Sequence, residues 1–448
     1  MNNYWLKSGF YALLNQLTQL IFNLGTVAII WRALDEKACG VWVLYLTVTA
    51  FIEVGRTGLL QNGLMRFLAQ TPQSEHAKIN TASLFLSVSL SVLFVLALVF
   101  GGSAMGHFFD STQLVELLSI YAATTFVLSG LYQFNFIQQA NLDFRGLFWS
   151  SFVKNGLLFG YVLYLQLGHK TFNLNHLAYC QLFAAIPATC VAYGFAKRYF
   201  SLSKSIDWQW VKQLFQYGKY TFGTNIATMT YKNVDKGLLG RFLLEKVSTY
   251  DLAIKINNMA EMPSMTLATI LFPQSAKRAN TQGTEGGATA KYLYEKSVGV
   301  ILSILVPMVI FILIFADIMV TFIGSEKYAN SAPVLRLTVF YGIFMAFAMQ
   351  FGTILDSIGK PKLNFYITAL GAVVNLSFNY MFIKGFGLYG AAYGSLMAMS
   401  IMFVVMQVIL KRLLGVDVMN VFQYMLAFYK EIWMIGRGFF NKKRLKTA

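Results

Sequence analysis

The chain has 448 residues, 56% hydrophobic and only 12% charged, and its 36 Lys and Arg against 19 Asp and Glu give a net charge of +17. That composition excludes an ordinary soluble domain and describes a polytopic membrane protein whose usual solvent is lipid. Much of the positive charge falls in connections and in the tail, as in Lys197, Arg198, Lys204 and Lys212 or Lys442, Lys443, Arg444 and Lys446; a membrane surface accounts for it and no nucleic-acid partner is needed.

A helix of roughly 20 apolar residues crosses about 30 Å of hydrocarbon. Twelve such spans are predicted, at 9–33, 40–65, 80–102, 112–140, 145–168, 174–197, 217–241, 247–275, 292–323, 331–356, 362–384 and 388–412. Short alternating segments of the barrel type do not recur, so the expected fold is all-α. The first span runs past a signal-peptide core without a persuasive cleavage site and is expected to be retained. With the amino terminus placed inside, about 23 Lys and Arg fall on the inner side and about 8 on the outer, which predicts cytoplasmic termini.

Five basic residues lie inside predicted spans: Arg56, Lys154, Lys232, Lys236 and Lys255. Each costs about 2.5 to 3.5 kcal/mol at mid-bilayer, so they are expected to face water or an anion. In the second span Glu53 and Arg56 stand at i, i+3, among Gly55, Gly58 and Gly63, which let helices approach closely. Arg56 suits a phosphate as a planar multi-donor group, and Glu53, released from the pair, is a candidate for proton or sodium coupling. In the fifth span Lys154 has Ser150, Ser151 and Asn155 for company. Cys180 and Cys190 share the sixth span about 15 Å apart, too far for a disulfide. Cys39 is placed near the outer surface, and His76, His107, His169 and His176 fall at loops or span ends and form no metal cluster.

Residues 203–216 place Trp208, Val211, Leu214 and Phe215 at helical spacing and are expected to form an interfacial linker helix. In the seventh span Lys232, Asp235 and Lys236 share one face with net positive charge, with Asn225 lower on the helix; Asp235 is the second candidate for ion coupling. Lys255 in the eighth span has Asn258 one turn away, and neither it nor Lys154 is expected to have a carboxylate partner on its own helix. Gly371, Asn375 and Asn379 form an i, i+4, i+8 stripe that points to helix packing. Pro187, Pro263, Pro273 and Pro307 can bend helices. Residues 418–440 read as a surface anchor, too polar for another span.

Shifting the sequence by 209 positions superposes Gly218 on Gly9, Tyr220 on Tyr11, Arg241 on Arg32, Leu243 on Leu34, Glu245 on Glu36 and Lys246 on Lys37. One register across a helix and its outer loop predicts two similar bundles, a common transporter construction. The expected organisation is a six-helix lobe at 1–200, a linker helix at 201–216, a second six-helix lobe at 217–413, and an amphipathic segment with a basic tail at 414–448. The same shift puts Lys232 on Asn23, Lys236 on Val27 and Lys255 on Leu46, so these cations are not part of the repeated scaffold.

Five stretches carry a family likeness: RALDEKACGVW at 32–42, NVDKGLLGRFL at 233–243, LFPQSAKR at 271–278, IGKPK at 358–362 and GFGLYGAAYG at 385–394. In this order around twelve spans, the chain resembles the polysaccharide and O-antigen flippases of the superfamily that also contains the multidrug and toxin extrusion transporters. The resemblance implies two pseudo-symmetric six-helix lobes around a central cavity. It also implies a non-enzymatic activity, movement of a polyprenyl-diphosphate-linked oligosaccharide from the cytoplasmic to the outer leaflet of a bacterial inner membrane by alternating access. Membrane lipids and other glycan-assembly proteins would be its partners. The charge reading makes Lys154, Lys232, Lys255, Arg56 and Lys236 the candidate diphosphate or glycan ligands; of the family pattern, only Asp235 and Lys236 match by position. A multidrug exporter is the alternative transporter, for which embedded carboxylates should dominate. A membrane glycan polymerase or ligase is the alternative enzyme, for which a large outer loop is expected.

Overall fold

The computed structural model describes residues 2–141, 143–258, 284–358 and 360–444, and among them all regular structure is helical. The helices are α1 (Asn2–Ala33), α2 (Glu36–Gln70), α3 (Gln73–Phe108), α4 (Thr112–Ala140), α5 (Arg145–Leu167), α6 (Leu174–Ala196) and α7 (Trp208–Phe242). There follow α8, described over residues 244–258, then α9 (Thr284–Gly324), α10 (Ser331–Thr338), α11 (Tyr341–Ser357), α12 (Pro361–Leu414) and α13 (Val418–Arg444). Pro263, Pro273 and the stretch 271–278 lie outside the described residues.

Helix ends are set by local chemistry. Ser111, Asn173 and Asp207 cap α4, α6 and α7 by accepting from the backbone N–H of Leu114, Asn175 and Gln209, which satisfies donors that the first turn leaves open. Gly415 closes α12 at φ 67°, a left-handed value that glycine adopts without strain. Many large apolar side chains are exposed, among them Phe100, Phe183, Ile314 and Phe322, as expected of helices whose outer faces meet lipid rather than water.

The repeat is visible in the helix ends. α1 stops at Ala33 and α7 at Phe242, the same position under the shift of 209 residues. The two turns also meet: Lys246 Nζ lies 3.2 Å from Glu36 Oε2, and the Trp31 indole donates to Ser248 O at 3.2 Å.

Chain contacts divide the molecule into one unit of Met1–Ser248 with Phe322–Ser325 and another of Thr249–Thr321 with Glu326–Ala448. In the first, α2 and α7 pack so closely that glycine is required at the contact. A Cβ on Gly218 would stand 2.0 Å from Leu59 O, and one on Gly58 would stand 3.1 Å from Phe222 Cα and 2.9 Å from Asn225 Nδ2. The small residues of the second span thus do what their pattern predicts. The segment expected to be a separate linker helix is continuous with the seventh span in α7. Val211 and Leu214 are buried with Leu60, Leu64 and Phe136, whereas Trp208 and Phe215 stay exposed; the apolar stripe finds protein on one edge, and no breaker interrupts the ladder after Gln216.

In the second unit, the tenth span is divided into α10 and α11. Gly342 N bonds Val339 O and Ile343 N bonds Phe340 O, so i→i−3 bonding replaces the α-helical ladder for one turn. The eleventh and twelfth spans both lie in α12, which folds back at Gly387 (φ 57°, ψ −129°). A Cβ on Gly390 would meet Phe382 O at 2.1 Å and one on Gly394 would meet Asn379 Cα at 2.8 Å, which with the bend at Gly387 accounts for the last three glycines of GFGLYGAAYG. Asn379 Nδ2 bonds Asn375 Oδ1 at 2.8 Å and Ser395 Oγ at 3.0 Å, so the asparagine stripe ties the two arms together. The segment read as a surface anchor is α13, whose start is docked on α9. Glu295, 2% exposed, accepts from Asp417 N and Asn420 Nδ2, and the Tyr429 hydroxyl donates to Ser303 O.

Candidate functional site

The polar centre of the first unit is built on the middle of α2. Arg56 is fully buried. Its Nη2 donates to Ser91 Oγ on α3 at 3.1 Å and, on α4, to Thr125 O at 2.9 Å and Thr125 Oγ1 at 2.5 Å. One guanidinium therefore joins three helices, with the ring of Tyr132 5.7 Å from its carbon. Its Nη1 is 3.7 Å from Glu53 Oε2, an ion pair too long to be a hydrogen bond. The other carboxylate oxygen of Glu53 accepts from the Tyr121 hydroxyl. Glu53 Oε2, Arg56 Nε and Arg56 Nη1 are buried without a hydrogen-bond partner. Tyr121 in turn lies edge-on to Tyr45, whose hydroxyl donates to Gln181 on α6 at 2.8 Å.

One turn along α2 from Glu53, a cavity of about 410 Å³ opens between α1, α2, α4 and α5. Each helix lines it with a polar pair at i, i+4: Gln19 and Asn23 on α1, Thr57 and Gln61 on α2, Asn135 and Gln139 on α4, Ser151 and Asn155 on α5. That spacing sets both members on one helix face. Lys154 is the one charged side chain in the lining, Tyr132 and Phe136 are its aromatic part, and Leu131 and Leu147 complete it. Lys154 also lies within electrostatic reach of Glu53. Gln61 donates to Gln139 at 3.0 Å and Ser150 to Asn135 at 3.2 Å, so part of the set is held in place by its neighbours.

The remaining sequence candidates separate. Lys232, Asp235 and Lys236 stand together on α7 in the first unit, with Asp235 and Lys236 buried and Asp235 Oδ1 accepting the backbone N–H of Lys236 at 2.8 Å. Lys255 belongs to the second unit and is paired on its own helix: its Nζ lies 3.0 Å from Asp251 Oδ2. This corrects the expectation of no local partner. Asp251 stands four residues before it, the best spacing for an intrahelical pair, and is 2% exposed. Arg56 does not line the cavity. Cys39 is buried and all three cysteines are free; among the described residues no group of His, Cys, Asp and Glu could hold a metal.

The residues that the sequence reading missed are uncharged. Ser91 and Thr125 fix Arg56, and amides supply most of the uncharged polar groups of the cavity wall. Their signal was available as the i, i+4 recurrence of Asn, Gln, Ser and Thr in otherwise apolar spans, which is weaker than a charge because a single amide in a membrane helix often serves packing alone.

Comparison with known proteins places these features in context. A family model described as polysaccharide biosynthesis protein matches residues 9–333. A probable low-salt glycan biosynthesis flippase of Haloferax volcanii is 25% identical over 212 residues, covering 47% of this chain and 44% of that one. A teichuronic acid biosynthesis protein of Bacillus subtilis is 23% identical over 315 residues, covering 69% of this chain and 62% of that one. The chain thus aligns with about half the length of the curated relatives it matches. Among solved structures, a lipid II flippase in an inward closed conformation superposes with a TM-score of 0.76 at 12% identity, over 96% of this chain and 92% of that one. An inward-facing multidrug resistance transporter superposes with a TM-score of 0.72 at 16% identity, over 88% and 95%. The described residues are all helical and share their fold with these two membrane proteins, and the chain belongs to the polysaccharide biosynthesis protein family.

Proposed function

We propose that this protein is a transporter and not an enzyme, and that it moves a polyprenyl-diphosphate-linked oligosaccharide from the cytoplasmic to the outer leaflet by alternating access. The observation that carries the reading is the polar cavity of the first unit, open between apolar helices in a member of a polysaccharide biosynthesis family. A chain that only packed helices would have little reason to turn eight uncharged polar side chains and a lysine toward one cavity within a membrane, where polar groups are costly unless they meet polar partners. The relative named as a glycan biosynthesis flippase and the neighbouring lipid II flippase support the same activity.

In this reading the substrate enters the cavity from the inner leaflet with its prenyl chain left in lipid, and the polar wall replaces the water it loses. Lys154 is the cation that meets it there; Lys232, Lys236 and Lys255 are the further basic contacts we assign to its path. Glu53 and Asp235 are the carboxylates available for proton or sodium coupling, and no other cofactor is proposed. The site of action is a bacterial cytoplasmic membrane with both chain termini inside, where other glycan-assembly proteins would supply and receive the substrate. A cationic-drug exporter would need a carboxylate-dominated pocket, whereas the one charged group lining this cavity is a lysine.

Reconstituting the purified protein with a fluorescent lipid-linked oligosaccharide and measuring its transfer between leaflets tests the proposal. Wild type should accelerate transfer over protein-free vesicles, and Lys154→Ala and Lys232→Ala should slow it. Transfer at the protein-free rate would overturn the activity; wild-type rates in both variants would overturn the assignment of the lysines.

A further inference from the structure

Resting on the transport reading above, we propose that the cavity of the first unit is a saccharide subsite: it receives a sugar ring of the lipid-linked glycan, while the diphosphate is held outside it. The charge of the lining carries the first step. Among the described residues Lys154 is its only charged side chain. Arg56, the residue before Thr57 on α2, does not line the cavity and is engaged with Ser91 and Thr125 through Nη2 and paired with Glu53 through Nη1. A diphosphate bearing two or more negative charges would therefore meet one lysine, too little charge to offset the opposition of a poorly screened, low-dielectric setting to a multivalent anion. A neutral, hydroxyl-rich ligand meets no such opposition.

The lining has the complementary chemistry for a sugar. A carboxamide offers two donors and a carbonyl with two acceptor positions, so it can answer a hydroxyl that both donates and accepts. Four helices present such groups toward one space, and among the described residues Asn23, Ser151 and Asn155 have side chains with no protein hydrogen bond. Tyr132 and Phe136 supply flat apolar surface with ring centroids 5.9 Å apart, suited to the C–H face of a pyranose. The volume, about 410 Å³, is within the roughly 300 to 1,000 Å³ of small-molecule pockets.

The test compares two fluorescent probes that share a polyprenyl diphosphate, one bearing a disaccharide and one bearing no sugar. Binding of each to the detergent-purified full chain is measured for wild type, Asn23→Leu, Asn155→Leu and the smaller polar replacement Asn155→Ser, with thermal melting to confirm that each variant is folded. Wild type should bind the disaccharide probe more tightly. The leucine variants should weaken that binding by about tenfold, the scale of a lost hydrogen bond, and leave the sugar-free probe within about twofold; Asn155→Ser should fall between. Equal affinity of wild type for the two probes, equal loss of both in the variants, or no loss in either would overturn the subsite. A wild type that prefers the disaccharide probe but transfers neither between leaflets would overturn the transport reading and leave the subsite standing.

Discussion

Arg56 illustrates how far a charge can be judged before its neighbours are known. Its spacing to Glu53 identifies an ion pair, and the structure adds the larger part of its satisfaction, from Ser91 and Thr125, residues 35 and 69 positions away. An arginine enclosed by three helices holds them together, and its removal would strand the Glu53 carboxylate. Arg56→Ala should therefore destabilise the first unit by about 3 to 5 kcal/mol, the scale for breaking a buried pair on one side. Thermal unfolding of the purified protein in detergent checks this, and an unchanged midpoint would show that the guanidinium is not structural. Lys255 carries the opposite lesson, because its partner was four residues away and legible by spacing alone. Asp143 is also nearly buried, 5% exposed at its side chain, but its partners Arg145, whose Nε lies 2.9 Å away, and Arg198 are about half exposed. Solvent screening reduces such pairs, so Asp143→Asn should lower stability by only about 1 kcal/mol in the same assay.

Among the helices, glycine decides contacts that hydropathy cannot rank. Gly218 and Gly160 both interrupt apolar spans, yet a Cβ on Gly218 would collide with the backbone at Leu59 while one on Gly160 would meet nothing within 4 Å. Gly218→Ala should cost about 1 to 3 kcal/mol by forcing α2 and α7 apart. Gly160→Ala should be neutral or stabilising by up to about 1 kcal/mol, because alanine is the better helix former. Parallel melting curves of the two variants test the contrast, which would fail if both moved in the same direction. At Gly387 the constraint is in the backbone: φ 57° with ψ −129° is a conformation that L-residues avoid. Gly387→Ala should destabilise the α12 hairpin by about 1 to 3 kcal/mol, and a wild-type midpoint would refute the hinge assignment. Span counting located both arms of that hairpin, since apolar length is a sum over residues. It did not join 203–216 to the seventh span, because continuity there depends on Val211 and Leu214 finding buried neighbours.

Over the whole molecule, the inner excess of Lys and Arg predicts both termini in the cytoplasm. A fluorescent protein fused after Ala448 should fluoresce in cells, and a periplasm-active reporter fused at the same point should be silent; the reverse pattern would invert the topology. The sequence by itself determined the membrane class, the register of its internal repeat and the resemblance to glycan flippases, because all of these are sums or registers along one dimension. The tertiary structure alone decided that Arg56 is enclosed rather than presented, and that four i, i+4 polar pairs from α1, α2, α4 and α5 converge on one cavity with Lys154. Hydrogen bonds and cavities are made between helices far apart in the chain, and hydropathy registers an amide without saying which neighbour it faces. Its direction becomes known only when the packing of its helix is known.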